Sequence, residues 1–152
     1  GLAPGDADPE VRRAADGALG RADGEAGVES VREALESALT DAAWPVREEA
    51  AGTLAKLRPA ASVPALQAAM ADDLWQVRLR AARALARLRD PAALPELTEA
   101  LAHPIANLRK EAAIALGEVG DPAGVPALEV AAADTDPEVR KAARLALGRI
   151  VR

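Results

Sequence analysis

The stretch Asp134-Thr135-Asp136-Pro137-Glu138-Val139-Arg140 decides the architecture, because four further versions of it occur in the chain. The same Asp-to-Arg spacing, ending in Val-Arg, recurs at 6–12, 41–47 and 72–78, and 103–109 carries a variant with His first and Leu-Arg last. The repeated arginines lie 35, 31, 31 and 31 residues apart. A period of this size is typical of solenoids, in which each unit buries its apolar face only against neighbouring units.

Each repeat shows the pattern of two helices. Apolar residues recur one before, three after and seven after the repeated Arg, which places them on one stripe of a helix, as with Val139, Ala143 and Leu147. A shorter apolar pattern follows, and we expect its helix to begin near a Pro such as Pro126, because helix interiors reject Pro. No strand pattern competes. We predict an all-α fold of about nine helices, with a flexible turn at 23–27, where the first repeat is longer.

An Asp followed six residues later by Val-Arg resembles the signature of HEAT repeats, and the period resembles the short HEAT-like units of phycobilisome lyase subunits. The resemblance implies a right-handed α-α superhelix and one domain over 1–152, with units near 6–40, 41–71, 72–102, 103–133 and 134–152, either complete or cut from a longer array. It also implies a ladder of Asp and Arg side chains that bond between repeats: Asp6, Arg12, Asp41, Arg47, Asp72, Arg78, Arg109, Asp134 and Arg140. Because His103 replaces one Asp, we expect an altered ladder at the fourth repeat.

Basic residues are concentrated in the helices that carry the repeated Arg. The net charge is −5, yet segments 9–21, 44–58, 75–89, 106–118 and 137–152 hold 18 of the 19 Lys and Arg and only seven of the 24 acids. Segment 75–89 contains five Arg and no acid. The HEAT resemblance implies that these helices line the concave face, so we expect a basic groove and an acidic back.

The expected groove supplies the candidate binding residues. Positions one and five after the repeated Arg point away from the buried stripe and hold a mixture of basic and apolar side chains that suits a protein partner. Trp44 and Trp75 occupy equivalent places and either form an exposed aromatic strip or cover neighbouring helix ends. Charges here can also pair across helices, as Arg80 could with Glu49 or Glu111. The candidates are Arg13, Trp44, Glu48, Trp75, Leu79, Arg80, Arg83, Lys110, Ile114, Lys141 and Leu145.

The sequence assembles no recognisable catalytic or metal site. There is no Cys, and His103 is the only His, so neither a typical zinc site nor the His-Glu pairs of the HEAT-like hydroxylases can form. The Gly-rich segment 20–27 lacks the Lys of a phosphate-binding loop. We expect no catalytic residue, no cofactor and no metal.

We therefore predict a non-enzymatic, cytoplasmic interaction or scaffold module whose concave basic face docks an acidic protein or peptide segment. Three alternatives stay open: a bilin lyase-like subunit, suggested by the resemblance alone; a nucleic-acid-binding domain; and an array that only spaces its neighbours, with charges that serve solubility. The overall acidity and the lack of Phe and Tyr count against nucleic acid. No apolar run is long enough to span a membrane. Either a monomer or end-to-end self-association fits the chain.

Overall fold

The described part of the chain is built from helices alone. A computed structural model of the protein describes residues 24–151. Its eight α-helices are α1 (Gly24–Ala38), α2 (Trp44–Leu57), α3 (Val63–Ala69), α4 (Trp75–Leu88), α5 (Leu94–Ala100), α6 (Ala106–Val119), α7 (Val125–Ala131) and α8 (Pro137–Ile150). The all-α prediction is confirmed over this range, and the further helix predicted at 9–21 lies outside it.

The helices form two layers. The long helices α2, α4, α6 and α8 carry the repeated Arg, and each packs directly on the next. The short helices α3, α5 and α7 lie to one side, each packed mainly against the long helix that follows it in the chain. Because the long helices make the closer layer, we expect the array to curve toward them, as in the predicted solenoid.

Small side chains allow the long helices to approach each other closely. The positions three after the repeated Arg, Ala50, Ala81, Ala112 and Ala143, are fully buried. A leucine seven after the Arg, such as Leu85 or Leu116, is likewise buried between the layers. Complete burial of one such leucine stabilises the fold by about 1.5–3 kcal/mol. The long helices α6 and α8 approach closely at Gly117, because a Cβ built there would lie 2.8 Å from the Cβ of Ala146.

The short helices begin at their second proline, as predicted. Helix α5 starts at Leu94 and α7 at Val125, in each case with Pro as the next residue. The earlier Asp-Pro pairs open one-turn 3₁₀ helices instead, at Pro91–Ala93 and Pro122–Gly124. In each turn the Asp carboxylate accepts the N–H two residues later, as Asp121 does from Ala123 at 2.8 Å. A helix running through the second Pro would lose a backbone hydrogen bond, so the α-helix starts there.

The flexible turn predicted at 23–27 is wrong over 24–27, the part of it that the structure describes, because α1 begins at Gly24 and runs for 15 residues. The other short helices have 7 residues, so the extra length of the first repeat extends a helix. Apolar side chains at Val28, Val31 and Leu35 follow the helical period. Along the same helix Arg32 bonds Glu29 at 2.7 Å and also Glu36. Each such pair stabilises a helix by about 0.2–0.5 kcal/mol, which offsets part of the low helix propensity of the glycines in α1.

Candidate binding face on the long helices

The ladder bonds join one repeat to the next. Arg47 donates from Nε to Oδ2 of Asp72 at 2.7 Å and from Nη2 to Oδ1 at 3.1 Å. Its Nη1 donates to the carbonyl oxygens of Asp41 and Ala42, so one guanidinium ties its own turn to the next repeat. Arg109 makes the same fork with Asp134, at 2.9 and 3.0 Å. Two parallel charge-assisted bonds fix both distance and orientation.

These bonds also change how the carboxyl groups titrate. The hydrogen bond from Arg109 is the main reason that the pKa of Asp134 lies below its ordinary value. Burial alone would raise the pKa of Asp72, but bonds from Arg47 and from the N–H of Leu74 outweigh it, so that this pKa is lowered as well. Both carboxyl groups are therefore ionised at neutral pH and hold the arginines in place.

The ladder lacks one carboxylate, at His103. Nδ1 of His103 accepts the N–H of Ile105 at 3.0 Å, the role that an Asp oxygen has in the other turns. Burial, and then the charges of Arg78 and Arg109, lower the pKa of His103, so its imidazole is neutral at neutral pH. Arg78 donates through Nε to the carbonyl of Asp72 and has no carboxylate partner among residues 24–151.

The structure describes two of the remaining ladder residues, Asp41 and Arg140. Arg140 bonds the carbonyl oxygens of Asp134 and Thr135, at 2.8 and 3.1 Å. Asp41 is buried and accepts the N–H of Ala43 at 2.8 Å. Three predicted residues, Asp6, Arg12 and Arg13, lie outside the described part of the chain.

The two tryptophans differ in their exposure. Trp75 is partly buried and packs against the core, as expected for a residue that covers its neighbour. Trp44 is 42% exposed. Leu79 and Ile114 were expected to face solvent, and they do so only in part, because each is partly buried and packs against the core. Leu145 is 63% exposed, as expected.

Two arginines expected to attract a partner already have acidic neighbours. Arg80 pairs with Glu48 at 3.3 Å, which corrects the expected pairing with Glu49 or Glu111. Glu111 instead binds Arg83 at 2.9 Å. Both pairs link adjacent long helices, and the arginines are nearly half exposed, so each pair contributes about 0–1 kcal/mol. Their charge is thus partly neutralised.

Four predicted candidates come together in one groove between α6 and α8. The groove has a volume of about 570 Å³ and is lined by Lys110, Ile114, Lys141 and Leu145. Two cations that sequence reasoning missed, Arg144 and Arg149, line it too. Arg144 had a detectable signal, because the other long helices have a buried alanine at the same repeat position, such as Ala113. The groove therefore combines apolar surface with an excess of positive charge.

The cations that line this α6–α8 groove form no ion pairs among the described residues. Within residues 24–151 the ion pairs involve none of Lys110, Lys141, Arg144 and Arg149. One acid, Glu138, lies at the groove. The long-helix face thus has uncompensated charge near α8, whereas Arg80 and Arg83 are each paired with an acid.

Other kinds of site find no support in the described range. Within residues 24–151 no three His, Asp or Glu side chains lie close enough together to bind a metal ion. None of the eight helices is both long enough and apolar enough to cross a membrane.

A comparison with models of protein families shows which family the chain belongs to. The family model for HEAT repeats matches residues 2–78 and 67–148, which is nearly the whole chain. The chain belongs to the HEAT-repeat family. No curated protein matches its sequence. The resemblance seen in the Asp-to-Arg spacing is thereby confirmed.

Solved HEAT-like structures are similar to this HEAT-repeat chain. The complex of CpcE and CpcF of phycocyanin lyase from a Nostoc species shares 29% identity over 78% of this chain, with a TM-score of 0.70. Human deoxyhypusine hydroxylase in complex with glycerol shares 29% over 79%, with a TM-score of 0.69. The chain spans about half the length of these proteins, 53% and 43% respectively.

A designed protein of another repeat class supports the architecture alone. A designed armadillo repeat protein in complex with the peptide (KR)4 shares 20% identity over 95% of this chain, with a TM-score of 0.70. The match covers 77% of the designed chain. At this level of identity the likeness concerns the stacking of helices into a solenoid, which agrees with the layers described above.

Proposed function

We propose that this HEAT-repeat chain is a non-enzymatic scaffold module that docks an acidic protein segment on its long-helix face, with the α6–α8 groove as the main contact. The observation that carries the proposal is the combination, in that groove, of exposed apolar surface with four cations that form no ion pair within residues 24–151. We place the interaction in the cytoplasm. The repeat fold itself is compatible with many functions, so the groove has to carry the argument.

The groove has the chemistry for an acidic segment that also carries an apolar residue. Leu145 and the partly buried Ile114 offer apolar surface, and covering one exposed leucine contributes up to about 1.5–3 kcal/mol. Lys110 and Lys141 border this surface on neighbouring helices. Charges at the rim mainly raise the rate of encounter and select the partner's sign. A segment with acidic residues on both sides of a leucine or valine would satisfy both features.

The path of the partner along the solenoid follows the same face. Beyond the groove lie Arg83 and Arg80, whose pairing with Glu111 and Glu48 a partner carboxylate would have to replace. The exchange costs little, because both arginines are exposed and surface pairs are weak. We include Trp44, Trp75 and Leu79 as flanking contacts on this path, and Arg13 as its continuation toward the first repeat.

Peptide selection tests the proposal without a known partner. A random peptide library displayed on phage is selected against the immobilised protein, and the enriched peptides are sequenced. We expect acidic peptides with one or two apolar residues, and an increase in Kd of about tenfold in the K110E/K141E variant, equal to 1.4 kcal/mol.

A matched control separates the groove from general electrostatics. The K56E/R87E variant changes the net charge by the same amount on α2 and α4, and we expect its Kd to stay within about twofold of the wild type. Replacing Leu145 by Ala should weaken binding in the absence of any charge change. The proposal fails if no acidic class is enriched, or if both charge reversals weaken binding equally.

A lyase-like subunit is the second candidate function. It is favoured by the 29% identity to the complex of CpcE and CpcF of phycocyanin lyase, which also shows a HEAT-like chain working with a protein partner. Incubating this protein with a bilin, with and without an acceptor protein, tests the idea. A new absorbance band that survives denaturation would support the lyase, and an unchanged spectrum would favour the scaffold.

A further inference from the structure

A second basic site lies between α2 and α4, away from the α6–α8 groove. This cleft of about 390 Å³ is lined by Lys56, Arg58, Arg80, Arg83 and Arg87 around Gly52. No Asp or Glu is among the residues that line it. It differs from the α6–α8 groove because it has no large apolar side chain, so it suits a small charged ligand better than a protein segment.

Three of its five cations form no ion pair in the part of the chain that the structure describes. Arg80 and Arg83 bind Glu48 and Glu111 on neighbouring helices, and these bonds hold the two guanidinium groups in position. Lys56, Arg58 and Arg87 make no ion pair with any residue from 24 to 151. Like charges gathered in one concave place raise the local potential and attract an anion.

Gly52 keeps the floor of the cleft open, although the fold does not demand a glycine there. A Cβ built on Gly52 would have Nη1 of Arg80 as its nearest neighbour, at 3.7 Å, which is an ordinary contact. Alanine would therefore fit, and it would favour the helix. Gly117 is the opposite case, since a Cβ there would collide with Ala146 at 2.8 Å. The absence of a side chain at Gly52 leaves the backbone of α2 accessible between the cations.

We propose that this α2–α4 cleft binds an oligophosphate, a compact anion whose adjacent negative charges match its cluster of cations. Guanidinium groups bind phosphate oxygens through two parallel bonds, and a lysine adds a mobile point charge. The volume is in the range of small-ligand sites. A nucleic acid strand fits less well, because the cleft has no aromatic side chain on which a base could stack. The site lies outside the α6–α8 groove, and it shares only Arg80 and Arg83 with the proposed path of the protein partner.

Calorimetric titration with sodium triphosphate tests the proposal. We expect one binding site at about 0.15 M salt, and affinity at least about tenfold lower in the K56E/R87E variant. The K141E/R144E variant changes the net charge equally in the other groove and should stay within about twofold of the wild type. Circular dichroism checks that both variants fold, and K56Q/R87Q replaces the first pair if charge reversal unfolds the chain.

The source of the phosphate is tested by a second titration, with adenosine triphosphate. Equal affinity would mean that the phosphate chain alone is recognised, and tighter binding would mean that the nucleoside contributes. In both cases amide shifts in NMR spectra should change at 52–58 and 80–87. The proposal is overturned if triphosphate gives no binding at this salt concentration, if both charge reversals weaken it equally, or if the shifts map to α8.

Discussion

Arg109 binds both carboxylate oxygens of Asp134, at 2.9 and 3.0 Å, across 25 residues of sequence. The fork joins the start of one long helix to the turn before the next. One repeat earlier, the residue opposite Arg78 is His103, which offers a neutral imidazole. The junction between α4 and α6 therefore lacks the Arg–Asp ion pair that the α2–α4 and α6–α8 junctions have.

Replacing His103 by Asp should restore the missing bond. The new carboxylate can accept the N–H of Ile105, as Asp134 does from Asp136, and can also receive the guanidinium of Arg78. We expect the free energy of unfolding to rise by about 0.5–1.5 kcal/mol, measured by urea denaturation at pH 7. The H103N variant keeps an acceptor for Ile105 but no charge. An H103D variant no more stable than H103N would contradict the role of the ladder.

The ladder should make stability fall in acid. The folded-state pKa values of Asp72 and Asp134 lie below the ordinary 3.8, so their stabilising effect is complete well above that pH and is lost as the pH falls below it. We expect D134N to cost about 1–3 kcal/mol at pH 7 and to lose less stability than the wild type between pH 6 and about 3. Unfolding curves across this range measure the difference.

The exposed Glu129 provides the control for the acid experiment, since E129Q removes a carboxyl group that lies outside the ladder. Its unfolding curve should follow the wild type at every pH. If D134N and the wild type lose stability in parallel as the pH falls, the Arg109 bond does not control the acid response.

The repeat pattern was sufficient to predict the two layers and the positions of the ladder. Both depend on local spacing, because a residue's place after the repeated Arg fixes which face of the helix it occupies. Pairing across helices depends also on how far one helix slides along the next, which spacing does not specify. For this reason the sequence suggested Glu49 or Glu111 for Arg80, and the structure places Glu48 there. Spacing likewise did not indicate that Leu79 and Ile114 would be partly buried against the core.

The backbone at the C-terminal end of α4 is strained at a position where a glycine would relieve the strain. Arg89 has φ 52°, in the left-handed region, where an L side chain costs about 1–2 kcal/mol. Gly120 occupies the equivalent place after α6, with φ 75°. We expect R89G to raise the free energy of unfolding by about 0.5–1 kcal/mol, read from urea denaturation. In R87G the glycine falls inside the helix and should destabilise by about 1 kcal/mol. Destabilisation by both variants would contradict the strain.

The contact between α6 and α8 gives a test of how closely the long helices pack. A Cβ on Gly117 would lie 2.8 Å from the Cβ of Ala146, so G117A must push the two helices apart. We expect it to cost about 1–3 kcal/mol of unfolding free energy, as overpacking usually does. Gly148 occupies the same repeat position in α8 with no neighbour within 4 Å, so G148A should stabilise by about 0.5–1 kcal/mol.

The double variant G117A/A146G decides whether the effect comes from that contact. It moves the methyl group from one helix to the other and leaves the same number of side-chain atoms between them. A Cβ at position 117 would also lie 2.9 Å from the backbone Cα of Ala146, so removing the Ala146 methyl group relieves only part of the collision. Thermal denaturation should therefore show that the double variant is more stable than the sum of the two single changes, although less stable than the wild type. If the losses simply add, the methyl group of Ala146 is not what makes glycine necessary at position 117.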